Sequence, residues 1–516
     1  MNIIYLLVSL LPIIGPLILL VILKQSAKIG MTVSMLLMII LGIFVWGIDM
    51  NVIFASIGIG IHKAITIILI LFGALALVNT LKNTKAISRI NEGFLSITND
   101  KRVLVVLIAF LLGGLIEGAS GFGTPATITG PLMVAIGLNP FTAAVLALVS
   151  DSVAVSFGAV GVPISVGLSN VNVAGIEVAN YITLIDLFAG VFIPLMVVIL
   201  YVVLSGKYQS SKLKSIKEMI PFSMFVGVLY TLMAFMTSRV FGFEFVSIIS
   251  PIVTLVIVSL TSRKGFLLPK GSIIQNHQNE MSLFKAWSPY IVVILLLIMT
   301  RVVPPIKDFL LSIDFLSIKD LLGTSLKSDF AILYSPGTVL LIASIFASLY
   351  QTKSISAFKK SVTDSKDVLI GAAMALIPTL ILVTVFSNSH FNANDLVSMP
   401  NYIASNLANV FGTNWNLISP FLGALGSFVT GSATVSSLTF AEVQASIATN
   451  VGLSTVIILA LQVIGAAIGN MICVHNVVAA SAVVGLTKQE GMIIKKTIIP
   501  ALIYLLLVVV VGIILL

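Results

Sequence analysis

The stretch from residue 113 to 164 restricts this chain more than any other. It reads GGLIEGASGFGTPATITGPLMVAIGLNPFTAAVLALVSDSVAVSFGAVGVPI. It is apolar enough for a bilayer, yet Gly, Pro, Ser and Thr interrupt it, and it carries two carboxylates, Glu117 and Asp151. Irregular backbone at membrane depth survives only where protein or a water-filled cavity covers it. Ionisable groups at that depth are rare and usually face a pathway. The stretch therefore needs a surrounding bundle of helices and reads as part of a site.

The rest of the chain can supply that bundle. Of its 516 residues, 58% are hydrophobic and 9% charged, against about 25% charged in soluble domains. Apolar runs of about 20 residues, long enough to span a bilayer, recur along the chain. Spanning helices are expected near 3–23, 29–47, 63–81, 140–165, 181–204, 220–240, 244–262, 286–304, 333–351, 367–388, 452–476 and 495–515. The first run lacks the basic start and small-residue cleavage site of a secretory signal and reads as a retained membrane helix. The net charge of +9 sits in short loops between apolar runs, so it speaks for membrane topology rather than nucleic acid. A single cysteine, Cys473, excludes an intrachain disulfide, and the four histidines form no metal-ligand pattern. No metal and no cofactor are expected. The chain has no Walker A sequence, GxSxG elbow or paired metal motif, so it does not read as an enzyme.

Loop charge sets the orientation. Lys and Arg gather at 24–28, 82–102, 207–217, 263–285, 353–366 and 488–496. Placing these loops in the cytoplasm puts both termini outside. It also requires the broken stretches 104–136 and 417–447 to enter the membrane and return to the side they came from, the first from the cytoplasm and the second from outside. The expected fold is an all-α polytopic membrane protein of about 12 spanning helices plus two opposed re-entrant hairpins.

The two broken stretches resemble each other. LLGGLIEGASGFGTPATIT (111–129) aligns without gaps on FLGALGSFVTGSATVSSLT (421–439), matching Gly113, Gly121, Thr124 and Thr129 to Gly423, Gly431, Thr434 and Thr439. With the opposed orientations from loop charge, this gives the inverted-repeat plan of secondary transporters. The halves would be 1–205 and 286–516, with 206–285 linking them.

Hairpin tips bring helix N-termini and free N–H groups to mid-membrane, where they favour an anion. Ser120, Gly121, Gly123, Thr124, Thr430, Gly431, Ser432 and Thr434 supply close backbone approach and hydroxyl groups. Asn476 and Arg301 (MTRVVPP) are further candidates, the arginine as a partner for a carboxylate. A carboxyl group removed from water holds its proton more tightly, and a histidine titrates near neutrality. Glu117, Asp151 and His475 are therefore the candidate proton-coupling residues. The expected partners are a small carboxylate anion, a proton and the lipid bilayer, with a homodimer as an option and no nucleic acid.

GxxEGASGFGTPATI, then GLNPFTAAVLALVSDSVAVSFGAVGVPI, and later LGALGSFVTGSATVSS and IGNMICVHNVVAASAVVGLTKQEG, resemble the L-lactate permease family of bacteria. The resemblance covers nearly the whole chain. It implies proton-coupled uptake of lactate or glycolate across the cytoplasmic membrane. The family motif carries onto Glu117, Gly118, Ser120, Gly121, Phe122, Gly123, Thr124 and Pro125, and onto Thr430, Gly431 and Ser432. The chain departs from the pattern at Asp151, where the resemblance implies a neutral amide, and at His475, where it implies Pro-Gln-Asn in place of Val474-His475-Asn476. The alternatives are a sodium-coupled or uncoupled carrier for another small organic anion and, further off, an anion channel.

Overall fold

Apolar sequence becomes helix almost throughout. The structure is a computed structural model that describes residues 3–23, 25–121, 123–169, 171–207, 211–269 and 281–515. The side chains of Asn91, Phe94, Leu95, Ser120 and Arg301 lie outside that description, as does Phe122. Among the described residues there is no strand, only the isolated bridges Ile48↔Asn392 and Ile318↔Ser328. Ten helices among the described residues are long and apolar enough to cross a membrane, and up to 12 if the bent pairs Pro140–Val155 + Gly158–Ser165 and Gly175–Phe188 + Gly190–Leu204 each form one span.

Several helices outrun the apolar windows that announce them. The run expected at 63–81 belongs to Met50–Asn83, a helix of 34 residues. The run at 367–388 belongs to Ser356–Ser387, of 32 residues, and that at 220–240 to Lys212–Val240. A hydropathy window registers only the membrane-length part of a helix. The extra turns of Met50–Asn83 are held by packing: Gly60 lies against the backbone of Ile381. His62 also ties the loop beyond, through contacts from Nδ1 to Ser328 Oγ at 2.9 Å and from Nε2 to the Leu316 carbonyl at 2.8 Å.

Both broken stretches fold as helical hairpins. In the first, the arm ending at Ser120 is followed by Gly121 and Gly123, both at positive φ, and the chain returns as Thr124–Ala135, with Gly113 facing Thr129 and Pro125 across the pair. Its first arm, Lys101–Ala119, is buried throughout its apolar window, so it meets protein rather than lipid. In the second, Trp415–Thr430 turns at Gly431 and returns as Ala433–Val451.

Buried polar groups lock the second hairpin. Trp415 Nε1 donates to Gln444 Oε1 at 2.7 Å. Gln444 Nε2 donates to the Ser419 carbonyl at 3.1 Å and to Gln462 Oε1 at 2.6 Å. Gln462 Nε2 donates to Ser436 Oγ at 3.2 Å, which donates to the Gly423 carbonyl at 2.8 Å. Each member satisfies another, the condition under which a buried network stabilises. Gln444→Leu orphans the Trp415 donor and the Gln462 acceptor, at about 1–3 kcal/mol each. Thermal unfolding in detergent is expected at a clearly lower midpoint than for the native chain.

The order of elements repeats. A long helix (Met50–Asn83), a short one (Ala86–Leu95), a hairpin, the broken helix Pro140–Val155 + Gly158–Ser165 and a further span follow one another in the first half. Ser356–Ser387, Met399–Phe411, the second hairpin, the broken helix Thr455–Gly469 plus Val474–Val483, and Glu490–Leu515 follow in the second. The short helix Met399–Phe411 lies in a stretch read from sequence as a connection. It is anchored through Tyr402, whose ring meets Trp46 at 5.6 Å and Tyr5 at 6.3 Å. The two long helices pack against each other.

Candidate functional site

Backbone geometry builds the site before any side chain does. The hairpins turn at Gly121 (φ +65°) and Gly431 (φ +69°), the residues that the internal alignment pairs, and Gly123 also has positive φ (+69°). Such backbone is strained for residues with a Cβ. Each following helix is broken as well. The first breaks at Ser156–Phe157, and Ala159, Val160 and Gly161 turn left-handed one after another. A valine at positive φ is a true outlier, and such strain concentrates at functional sites. The second breaks between Gly469 and Val474. The offset that carries Gly137-Leu138 onto Gly452-Leu453 carries the first break into the second.

Tips and breaks meet. Glu117, Gly121, Val155, Gly158, Ala159 and Val162 from the first half surround one cavity with Gly431, Ser432, Ala433, Thr434 and Asn470 from the second. It has a volume of about 20 Å³, room for roughly one water molecule. A smaller cavity of about 10 Å³ adjoins it, lined by Gly123, Asp151, Ser152, Asn470 and Asn476 among others. Asn470 faces both. Three helix N-termini open at these tips and breaks: Thr124–Ala135 after Gly123, Ala433–Val451 after Ser432, and Val474–Val483 after Cys473. Their free N–H groups and dipoles favour negative charge.

Two carboxyl groups stand in this apolar setting. Glu117 is 2% exposed and Asp151 5%, and their side chains face each other. One oxygen of each, Glu117 Oε2 and Asp151 Oδ1, has no hydrogen-bond partner. Gly158 leaves room for the Glu117 carboxyl, since a Cβ there would strike Oε1. No lysine or arginine lines either cavity.

The remaining candidate residues sort by position. Glu117, Gly121, Gly431, Ser432 and Thr434 line the larger cavity, and Gly123, Asp151 and Asn476 the smaller. Thr124 and Thr430 stand behind, their hydroxyls donating to the carbonyls of Gly121 and Gly426 at 2.7 and 2.8 Å. Ser432 Oγ accepts from the Val435 N–H at 3.3 Å and caps its helix. Asn476 Nδ2 donates to Asn470 Oδ1 at 2.8 Å, and its amide lies against Gly123. The His475 ring covers Gly431, supporting the tip from behind. The side chains proposed at Ser120 and Arg301 lie outside the described residues. Sequence reasoning missed Asn470 and Asp186. Asn470 follows Gly469 inside a run, 452–476, that reads from sequence as one continuous span, and Asp186 sits in a helix that reads as an ordinary span.

Ten apolar helices among the described residues, or up to 12 with the bent pairs, mark a multi-pass membrane protein, and the permease family it matches is one of transporters. The profile of the L-lactate permease family matches residues 5–516, and the chain belongs to that family. It is 32% identical over 491 residues to the putative L-lactate permease of Haemophilus influenzae, covering 88% of each chain. It is 28% identical over 544 residues to the glycolate permease GlcA of Escherichia coli K12, covering 96% of this chain and 93% of the relative. It is 28% identical over 470 residues to the L-lactate permease of Bacillus subtilis, covering 81% and 79%.

Proposed function

We propose that the chain takes up L-lactate, glycolate or a similar small 2-hydroxymonocarboxylate together with protons, by alternating access at the cavity between the two hairpin tips. The observation that carries this reading is the company in that cavity and the one adjoining it: helix N-termini from both halves, a buried carboxyl pair and no cationic side chain. The N-termini draw a carboxylate in, and the ionised pair repels it. Two like charges at 4 Å cost about 4 kcal/mol at the effective dielectric near a protein surface. A proton on the Glu117–Asp151 pair removes that cost. Anion and proton thus favour each other's binding, and such coupling is reciprocal. Loading both together is symport.

The relatives' names support the substrate class. Hydroxyl-bearing Thr434 and the amide of Asn470 are suited to a 2-hydroxyl group. The small cavity volume supports a closed resting arrangement, in which the tips part to admit substrate. The matched element order of 1–205 and 286–516 supports two repeat halves, with 206–285 as the link between them.

Counterflow tests the specificity. Liposomes loaded with L-lactate are expected to exchange it for external L-lactate or glycolate. A monocarboxylate without the 2-hydroxyl should exchange more weakly, since a polar group left unpaired costs about 1–3 kcal/mol. Replacing sodium by potassium should change nothing. Exchange that requires sodium, or that ignores the 2-hydroxyl, would overturn this reading.

A further inference from the structure

Glu117, Asp151 and Asp186 are the buried acids among the described residues. Asp186 lines neither site cavity. It lies near the end of Gly175–Phe188, just before the 47° bend into Gly190–Leu204. We propose that Asp186 is a third proton-binding carboxyl, a station that passes protons between one end of helix Gly175–Phe188 and the Glu117–Asp151 pair. The proposal rests on the proton-coupled reading given above.

Its surroundings suit a proton station better than a fixed charge. Asp186 is 2% exposed. Tyr504 Oη, from Glu490–Leu515, donates to its Oδ1 at 2.6 Å. No cation pairs with it in the described ion pairs. Arg239 on the facing helix is engaged elsewhere. It donates to the Phe235 carbonyl at 2.9 Å and to Thr183 Oγ1 at 3.2 Å, and covers the Phe235 ring at 3.4 Å. Helices Thr455–Gly469 and Gly158–Ser165, which also pack on this element, contain no titratable residue. A buried carboxylate without a cation is costly, and a proton is the simplest neutralising partner.

Polar groups continue on both sides. Asn180, Thr183 and Asp186 recur every third residue, along one face of the helix. Ser238 Oγ donates to Asn180 Oδ1 at 3.0 Å, extending that line toward the helix end. On the other side, the Tyr230 hydroxyl contacts the Ser247 side chain and lies within electrostatic reach of both Asp186 and Asp151. It also lies beside Gly114, one turn before Glu117. A tyrosine between two carboxyl groups can relay. In the proposed relay the Tyr230 hydroxyl swings from Ser247 into reach of the two carboxyls, and protonated Asp186 gives its proton to the phenol oxygen as the phenol gives its own to the Asp151 carboxylate. The tyrosine ends unchanged, and one proton has moved. Gly190 completes the arrangement, because a Cβ there would lie only 3.0 Å from Asp186 Oδ1. The carboxyl therefore sits against the hinge of the bent pair.

Infrared difference spectroscopy of the purified full-length protein in liposomes tests this without relying on transport. Raising the pH should remove carbonyl bands of protonated carboxyl groups. Asp186→Asn should lack one of them, and Tyr504→Phe should shift that same band by removing its hydrogen bond. In uptake assays, Asp186→Asn should lose proton-driven accumulation while keeping counterflow, and Asp186→Glu should restore part of the accumulation. A full set of bands in Asp186→Asn, or undiminished accumulation in that variant, would overturn the proposal. If Asp186→Asn does not assemble, the Tyr504→Phe spectrum decides: an unshifted set of bands overturns it. Absence of proton coupling in the native chain would instead overturn the function on which the proposal rests.

Discussion

Glu117→Gln is expected to abolish uptake driven by a proton gradient while leaving counterflow exchange intact. Glutamine matches the size and polarity of a protonated glutamate but can neither ionise nor release a proton. In the pocket beside Gly158 it permanently mimics the loaded state. The anion then binds without bringing a proton, so the gradient does no work. Exchange needs only that the cavity open to each side while occupied, which a neutral side chain permits. Asp151→Asn should have the milder effect. Asp151 lines the smaller cavity, while Glu117 stands in the larger one between both hairpin tips. Parallel measurement of gradient-driven and counterflow uptake in liposomes checks the pair of variants. If Glu117→Gln retains both activities, the carboxyl is structural.

Gly431→Ala is expected to stop transport altogether, exchange included. Gly431 has φ +69°, which costs an alanine roughly 1–2 kcal/mol. The added methyl would also fall within the His475 ring. Either the ring leaves its place behind the tip or the tip moves into a cavity of about 20 Å³. Both outcomes disturb the N-terminus of Ala433–Val451, which faces the site. Combining Gly431→Ala with His475→Ala removes the collision and leaves the backbone cost. Part of the exchange rate should then return. Initial rates of counterflow for the two single variants and the double variant test this. No recovery in the double variant would mean that the backbone strain, rather than the collision, disables the tip.

The hairpins were legible because their chemistry departs from that of a lipid-facing helix. Clusters such as SGFGTP and TGSATVSS announce irregular backbone, and loop charge requires each stretch to return to its starting side. The carboxyls at 117 and 151 were legible for the same reason, as groups that lipid would reject. What was not legible depends on tertiary packing. Nothing local marks helix Met50–Asn83 as continuous before residue 63; the approach of Gly60 to Ile381 stabilises those turns. The left-handed run at Ala159 and Val160 contradicts local preference, and only the surrounding bundle can hold it. Asn470 reaches the site because the helix opens just after Gly469, within a run that hydropathy reads as one span, and faces the first half there. Asp186 was passed over because its partner, Tyr504, lies at the far end of the chain.

Coupling between proton and anion is the central claim, and one experiment reaches it directly. The purified protein in liposomes is given an inward proton gradient, and labelled L-lactate is followed together with internal pH. The account predicts that lactate accumulates above its external concentration, that its arrival acidifies the interior, and that an uncoupler abolishes the accumulation. Accumulation that survives the uncoupler, or lactate arrival without internal acidification, would contradict it.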